Sequence, residues 1–395
     1  MASLFDYIKW RGDIPLSQVP LNEVDSLILS LLSYLDYSGI VSEEHDGTCV
    51  PLRAVANTYF SRNPDYKKVP MGLILPKEII LLLREVKDSR RFRNLQMRAY
   101  VNRVDTEREM QFSATTFLSE DGAMFVAFRG TDDTLVGWKE DLNMSIFPEV
   151  PAQRAATAYL VNAAQNCDGP IYTMGHSKGG NLSVYAAVMA DADVQERLVQ
   201  VWNFDGPGFR DEFYENSSYH DLRPLIRTVL PKDTLVGMLL THEERYTVVK
   251  SKQSGAWQHN ALNWEVMGGG FIQLPGIAIE SKRADKSINE WIRSMSDEQR
   301  QEFIEALYSI LTVENSATLT DVSALGVRWL AKSKELDPKV RKTLQEFIIR
   351  FFNINTKNLL NDFLGKNNLP EIELPFKKEV KSQKRGLNLL KTSKK

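Results

Sequence analysis

The ten residues Tyr172–Asn181, YTMGHSKGGN, constrain the fold more than any other part of the chain. Gly175-His176-Ser177-Lys178-Gly179 has the spacing G-x-S-x-G, and the residue pattern changes on either side of it. Upstream, GPIYTMG (169–175) is a short apolar run with strand character, and downstream KGGNLSVYAAVMAD (178–191) reads as a helix. A strand that passes directly into a helix needs small residues where the two backbones approach, and Gly175, Gly179 and Gly180 supply them. Such a turn lifts the Ser177 hydroxyl above the sheet edge. The helix start beside it offers free N–H groups and a partial positive charge. Ser177 is therefore a candidate nucleophile, with a purely structural strand-to-helix turn as the alternative.

The neighbouring segments supply the sheet this turn requires. FSATTFLSEDGAMFVAFRGT (112–131) reads as two strands joined at Glu120-Asp121-Gly122, because Asp-Gly between β-prone runs is a strong hairpin signal. The alanine-rich AQRAATAYLVNAAQNC (152–167) predicts a helix, and LVQVWNFDGPG (198–208), LIRTVLPKD (225–233) and RYTVVKS (245–251) predict strands. Strands alternating with helices imply an α/β fold with a mostly parallel central sheet, whose ligands sit at the carboxyl ends of the strands. Before this region, helices are expected over 22–36 behind an Asn22 cap, near 52–60, and over 76–89. After about residue 283 strand signals stop. Ser296-x-x-Gln299 is a capping box opening a helix, and helical periodicity continues to about 365. The expected organisation is a domain over 1–282 that includes an N-terminal helical segment, a C-terminal helical module over 283–370, and a basic, disordered tail over 371–395. From 377 onward that tail has eight Lys/Arg against one acid.

Composition narrows the function classes. A net charge of -2 gives no reason to expect nucleic acid as a partner. The two cysteines, Cys49 and Cys167, are far apart and fit neither a disulfide framework nor a zinc site, so a reducing cytoplasm is the expected setting. MASLFDYIKWRGDIP is too charged for a secretory signal, and LILSLLSYL (27–35) and MGLILPKEIILLL (71–83) fall short of the ~20 apolar residues of a membrane span. No metal or organic cofactor is expected.

A serine hydroxyl needs a base, and the base needs a carboxylate to orient it. His176 adjoins Ser177 on the turn, so its ring should diverge from the hydroxyl. His45 lies in an early loop, and His220 and His242 lie in charged loops expected to face solvent. His259, in GAWQHNALNW between Trp257 and Trp264, follows the last strand-like segment and completes the order Ser–acid–His. Two acids are candidates. Asp233 follows LIRTVLP and is preferred; Asp205 follows VQVWNF one strand earlier and would otherwise shape the pocket floor.

Phe128-Arg129-Gly130-Thr131, Trp138-Lys139-Glu140-Asp141-Leu142 and the G-x-S-x-G turn, followed by Asp233, Val236, His259 and Trp264, together resemble the class 3 lipase family, which includes the fungal triacylglycerol lipases. The likeness covers roughly 110–265. DYIKWRGDIP and NEVDSLILSLLSYLDYSGI further resemble a bacterial branch of lipase-like proteins of undefined role. The resemblance implies an α/β-hydrolase fold and a triad of Ser177, Asp233 and His259. It also implies an oxyanion hole from Thr131 and the Lys178 N–H, with Arg129 bracing the loop. The chain departs from the fungal pattern at Asp132-Asp133, two carboxylates beside the implied hole that would oppose an oxyanion unless turned away. Residues 132–147 are either a lid carrying Leu135, Val136 and Trp138 or an ordinary buried surface helix or loop.

The resulting expectation is a serine carboxylic-ester hydrolase, a lipase or esterase, working through an acyl-enzyme on a lipid or small-molecule ester. A thioesterase or peptidase on the same triad is an alternative. So is a non-catalytic interaction protein on this scaffold, its basic tail meeting an anionic membrane surface.

Overall fold

The computed structural model describes residues 2–278, 294–312, Glu314, 316–325 and Pro338. The expected basic tail and the helical stretch from 326 to 365, Pro338 aside, lie outside these residues. The described residues belong to one compact unit, Met1–Ile354.

A nine-stranded sheet runs in the order β1-β2-β3-β4-β5-β6-β7-β8-β11. Its strands are β1 (Val50–Pro51), β2 (Gln96–Asp105), β3 (Met110–Leu118), β4 (Met124–Phe128), β5 (Ile171–His176), β6 (Leu198–Phe204), β7 (Ile226–Pro231), β8 (Tyr246–Val249) and β11 (Gln273–Leu274). The pairs from β4 through β8 are parallel, and those at both margins are antiparallel. The short strands β9 (Val266–Met267) and β10 (Gly270–Phe271) form a separate ribbon. The Asp121-Gly122 hairpin is present, with Gly122 at φ +85°.

Helices cover both faces, which explains why the central strands are apolar on both sides. On β4, Phe125 and Ala127 point into one core while Met124, Val126 and Phe128 point into the other. The first core is filled by α1 (Leu4–Arg11), α2 (Glu23–Leu32), α3 (Leu52–Arg62) and α4 (Glu78–Val86). The second is filled chiefly by α6 (Pro151–Gln165) and α7 (Lys178–Met189), joined by α8 (Ala192–Gln195) and α9 (Ser217–Leu222). Between β4 and α6 lies α5 (Leu135–Asn143). Past the sheet come α10 (Asp297–Leu311) and α11 (Leu319–Leu325). The expected Asn22 cap and Ser296 capping box both form.

The N-terminal helices are integral to the fold. In α2 every residue from Val24 to Leu32 is buried, and Ser26 and Ser30 satisfy their hydroxyls on carbonyls one turn back. Asp25, with its side chain fully buried, pairs with Arg91 and accepts hydrogen bonds from Tyr7 Oη (2.8 Å) and the Asn22 N–H (3.0 Å). The Arg91 guanidinium also donates to the carbonyls of Ile14, Val19 and Pro20, so one buried ion pair ties the loop after α1 to α2.

Candidate active site

β5 ends at His176 and α7 begins at Lys178, leaving Ser177 alone in the turn at φ +58°, ψ -135°. Only a few per cent of non-glycine residues take positive φ, and holding one there costs of order 1–3 kcal/mol. The surrounding backbone enforces it. Ser177 N–H donates to the Phe204 carbonyl (2.9 Å), and its own carbonyl accepts from Gly180 N–H (2.8 Å). The flanking glycines are required by contact: a Cβ on Gly175 would lie 2.1 Å from the carbonyl carbon of Gly179, and one on Gly179 would lie 2.1 Å from the carbonyl oxygen of Phe128. Ser177 itself is only half-buried.

His259 Nδ1 lies 2.7 Å from Asp205 Oδ2. The acid brought to the histidine is thus Asp205, which corrects the preference for Asp233. The Asp233 carboxylate accepts from the Gly255 N–H (3.0 Å) and from Gln258 Nε2 (2.7 Å), so it holds the turn that carries His259 without touching the imidazole. The reason lies in the sheet order. β6 is the direct neighbour of β5, so the residue after β6 emerges beside the Ser177 turn, while the loop after β7 is one strand further away. Asp205 also has φ +52°, its carboxylate is fully buried, and its Oδ1 accepts from the Thr234 hydroxyl. His259 is anchored from behind by Trp264, which is fully buried and donates Nε1–H to the Gln258 carbonyl (2.8 Å).

His176 is buried, and both nitrogens of its ring are engaged by groups other than the serine hydroxyl. Its Nε2 lies 2.8 Å from the His259 carbonyl and its Nδ1 3.0 Å from Tyr34 Oη. A carbonyl only accepts, so Nε2 carries the proton and Nδ1 accepts from the tyrosine. Burial, then the neighbouring His259, push the His176 pKa well below the ordinary imidazole value, which keeps the ring neutral. The two rings lie 4.6 Å apart. His220 is exposed as expected. His242 departs from expectation, because its side chain is 5% exposed and pairs with Glu244 at 2.7 Å.

Thr131 follows Gly130, whose Cα approaches the turn so closely that a Cβ would lie 2.6 Å from the His176 carbonyl oxygen and 3.0 Å from Ser177 Cβ. The Thr131 hydroxyl donates to Asp141 Oδ2 at 2.5 Å. Lys178 is the first residue of α7, so its N–H has no intrahelical acceptor and is free for a ligand. The two troublesome carboxylates are engaged elsewhere. Asp132 accepts from Arg129 Nη2 (2.8 Å) and from the Thr134 N–H and hydroxyl, so Arg129 braces the loop as expected. Asp133 accepts from the Leu73 N–H (2.8 Å) and the Thr320 N–H (3.1 Å), fastening two distant segments to this loop.

Residues 135–143 form a packed helix. Leu135 and Val136 are buried, and Lys139 reaches both Glu109 (2.6 Å) and Glu305 of α10 (2.7 Å). Three residues that sequence reasoning did not single out lie against this turn: Tyr34 bonds His176, and Glu140 and the Gln111 carbonyl each accept from Lys178 Nζ at 2.9 Å. Glu140 carried a signal in W-K-E-D-L, whereas Tyr34 and Gln111 carried none. Among the described residues, no helix is long and apolar enough to cross a membrane, and no group of three or more His, Cys, Asp or Glu side chains is placed to hold a metal ion.

No curated protein matches the chain. Among solved structures, the crystal structure of M37 lipase is similar over 55% of this chain and 70% of that one, with a TM-score of 0.34 and 13% identity. Residues 86–309, more than half of the chain, match the family described as Mbeg1-like, and the protein belongs to this class 3 lipase-like family.

Proposed function

We propose that the protein is a serine carboxylic-ester hydrolase whose triad is Ser177, His259 and Asp205. The observation that carries this reading is the 2.7 Å contact between His259 Nδ1 and the buried Asp205 carboxylate, beside a strained serine at a strand-to-helix turn. With Nδ1–H committed to Asp205, the neutral ring presents the Nε2 lone pair as a base. Ser177 Oγ attacks the ester carbonyl carbon as Nε2 takes its proton, and Asp205 stabilises the imidazolium. The N–H groups of Thr131 and Lys178 hold the developing oxyanion. Collapse breaks the acyl–oxygen bond, the departing alkoxide takes the proton from Nε2, and water then releases the acid from the acyl-enzyme by the same steps.

An acylglycerol or phospholipid ester suits the apolar groups near the site. Trp257, 68% exposed, sits two residues before His259, and Leu73, 61% exposed, is held at the oxyanion loop by Asp133. Unpaired Cys49 and Cys167 suit a cytoplasmic setting. The test is hydrolysis of short p-nitrophenyl esters by wild type and Ser177→Ala. The variant should lose on the order of 10⁶-fold in kcat with unchanged thermal unfolding. Hydrolysis that survives the substitution, or folded wild type that neither turns over esters nor takes up a fluorophosphonate at Ser177, rejects the reading. A phospholipid and thioester panel then assigns the substrate class.

A further inference from the structure

Lys178 contributes an N–H to the oxyanion hole, but its side chain raises a separate question. A fully buried ammonium is costly unless paired, and an apolar side chain would fill the same space without that cost. Lys178 is 1% exposed. Its Nζ donates to Glu140 Oε2 (2.9 Å) and to the Gln111 carbonyl on β3 (2.9 Å), and lies 3.8 Å from Asp141 Oδ1. Glu140 has its own backbone donors, the N–H groups of Gln111 (3.0 Å) and Ala152 (2.8 Å). Asp141 is less well served. Its Oδ2 accepts from the Thr131 hydroxyl, while its Oδ1 is buried with no hydrogen-bond partner among the described residues. The Lys178 charge is the cation facing it.

We infer that Lys178 is a positioning residue that joins the two halves of the oxyanion hole: its N–H belongs to the turn half, and its buried ammonium, acting through Glu140 and Asp141 of α5, holds Thr131 of the loop half in place. This rests on the function proposed above. An ionised Asp141 can only accept, so Thr131 must donate its hydroxyl to it, which fixes the threonine beside the turn. A protonated Asp141 frees that hydroxyl to rotate and loosens the loop. The groups facing Asp141 are Lys178 from α7, Glu140 from its own helix, Thr131 and Asp132 from the loop, and the Tyr34 phenol. Burial has raised the phenol's own pKa and keeps it neutral. Burial pushes the Asp141 carboxyl up to about 6, Glu140 and Asp132 add to the rise, and Lys178 and the Thr131 hydroxyl hold it down. Removing the ammonium therefore moves the protonation of Asp141 further towards neutral pH.

The experiment uses the full chain and Lys178→Met, with p-nitrophenyl ester turnover across pH. The expected result is a kcat roughly tenfold lower or more, with KM little changed. The acid limb of kcat should move up by about one pH unit or more. That displacement should vanish in Lys178→Met/Asp141→Asn, which has nothing left to titrate there. A folded Lys178→Met whose kcat and pH profile superimpose on wild type overturns the inference and leaves the lysine only neutralising Glu140. If Lys178→Met does not fold, Lys178→Met/Glu140→Gln, with no unpaired lysine partner, is compared with wild type by the same criteria. Absence of Ser177-dependent turnover in wild type is a different failure, that of the proposed function itself.

Discussion

Replacing Asp205 by Asn changes the site's chemistry while leaving its shape nearly intact. Asn tolerates the φ of +52° found at position 205, so the backbone is not strained further. Its side-chain oxygen can still accept from the Thr234 hydroxyl, which leaves the NH₂ group facing His259 Nδ1. Two donors cannot share that 2.7 Å contact. The imidazole must therefore place its proton on Nε2, which removes the lone pair that would accept the Ser177 proton. Losing the correct tautomer in a serine triad costs about 10⁴ in kcat, equivalent to about 5 kcal/mol of transition-state stabilisation. Asp233→Asn provides the control. The amide oxygen can take the place of Oδ2, which accepts from both the Gly255 N–H and Gln258 Nε2, so only the charge assistance of those bonds is lost, a change worth about 1 kcal/mol of local stability that should leave kcat within a few-fold of wild type. The assay is p-nitrophenyl ester hydrolysis with thermal unfolding in parallel. Folded Asp205→Asn retaining more than about a tenth of wild-type kcat would refute the assignment, because far larger losses follow from the wrong tautomer. An Asp233→Asn loss as deep as the Asp205→Asn loss would refute it as well.

Other parts of the fold give equally definite expectations. Arg91→Met strands the buried Asp25 carboxylate on Tyr7 and Asn22 alone and should cost about 3–5 kcal/mol in urea unfolding, whereas a loss under 1 kcal/mol would show that the pair is dispensable. Glu244 is subject to burial, which raises its pKa, but hydrogen bonds from His242 and Thr228 outweigh that and bring it down to about 2. A depressed folded pKa means stability that is complete above the unfolded value near 4.5 and is lost as pH falls towards about 2, on the order of 3 kcal/mol. The stability gap between wild type and Glu244→Gln should accordingly narrow between pH 6 and pH 3, and a constant gap would contradict the assignment. Gly175→Ala puts a methyl 2.1 Å from the Gly179 carbonyl carbon, where only backbone could yield, and should cost about 3 kcal/mol or more. A melting temperature equal to wild type would show that the contact is not tight.

Much of this protein was legible in its residue pattern, because period and turn chemistry report local backbone conformation directly. The Asn22 and Ser296 caps, the Asp121-Gly122 hairpin and the strand–serine–helix turn all formed where expected. His259 does pair with an acid that follows an apolar strand, though with Asp205 in place of the preferred Asp233. What the pattern could not supply was the partner of a given side chain. Asp205 and Asp233 stand in equivalent places, each after an apolar strand, and only the adjacency of β6 to β5 brings the first to His259. Likewise α5 looked equally suited to a lid or a core helix until Glu305, far along the chain, met Lys139 across it. In the sequence Lys178 offered only its N–H, and the charge of its side chain acquired a purpose only where Glu140 and Asp141 packed against it. Local sequence determines which way a backbone runs, but the electrostatic meaning of a buried charge depends on which distant segment folding places within a few ångströms of it.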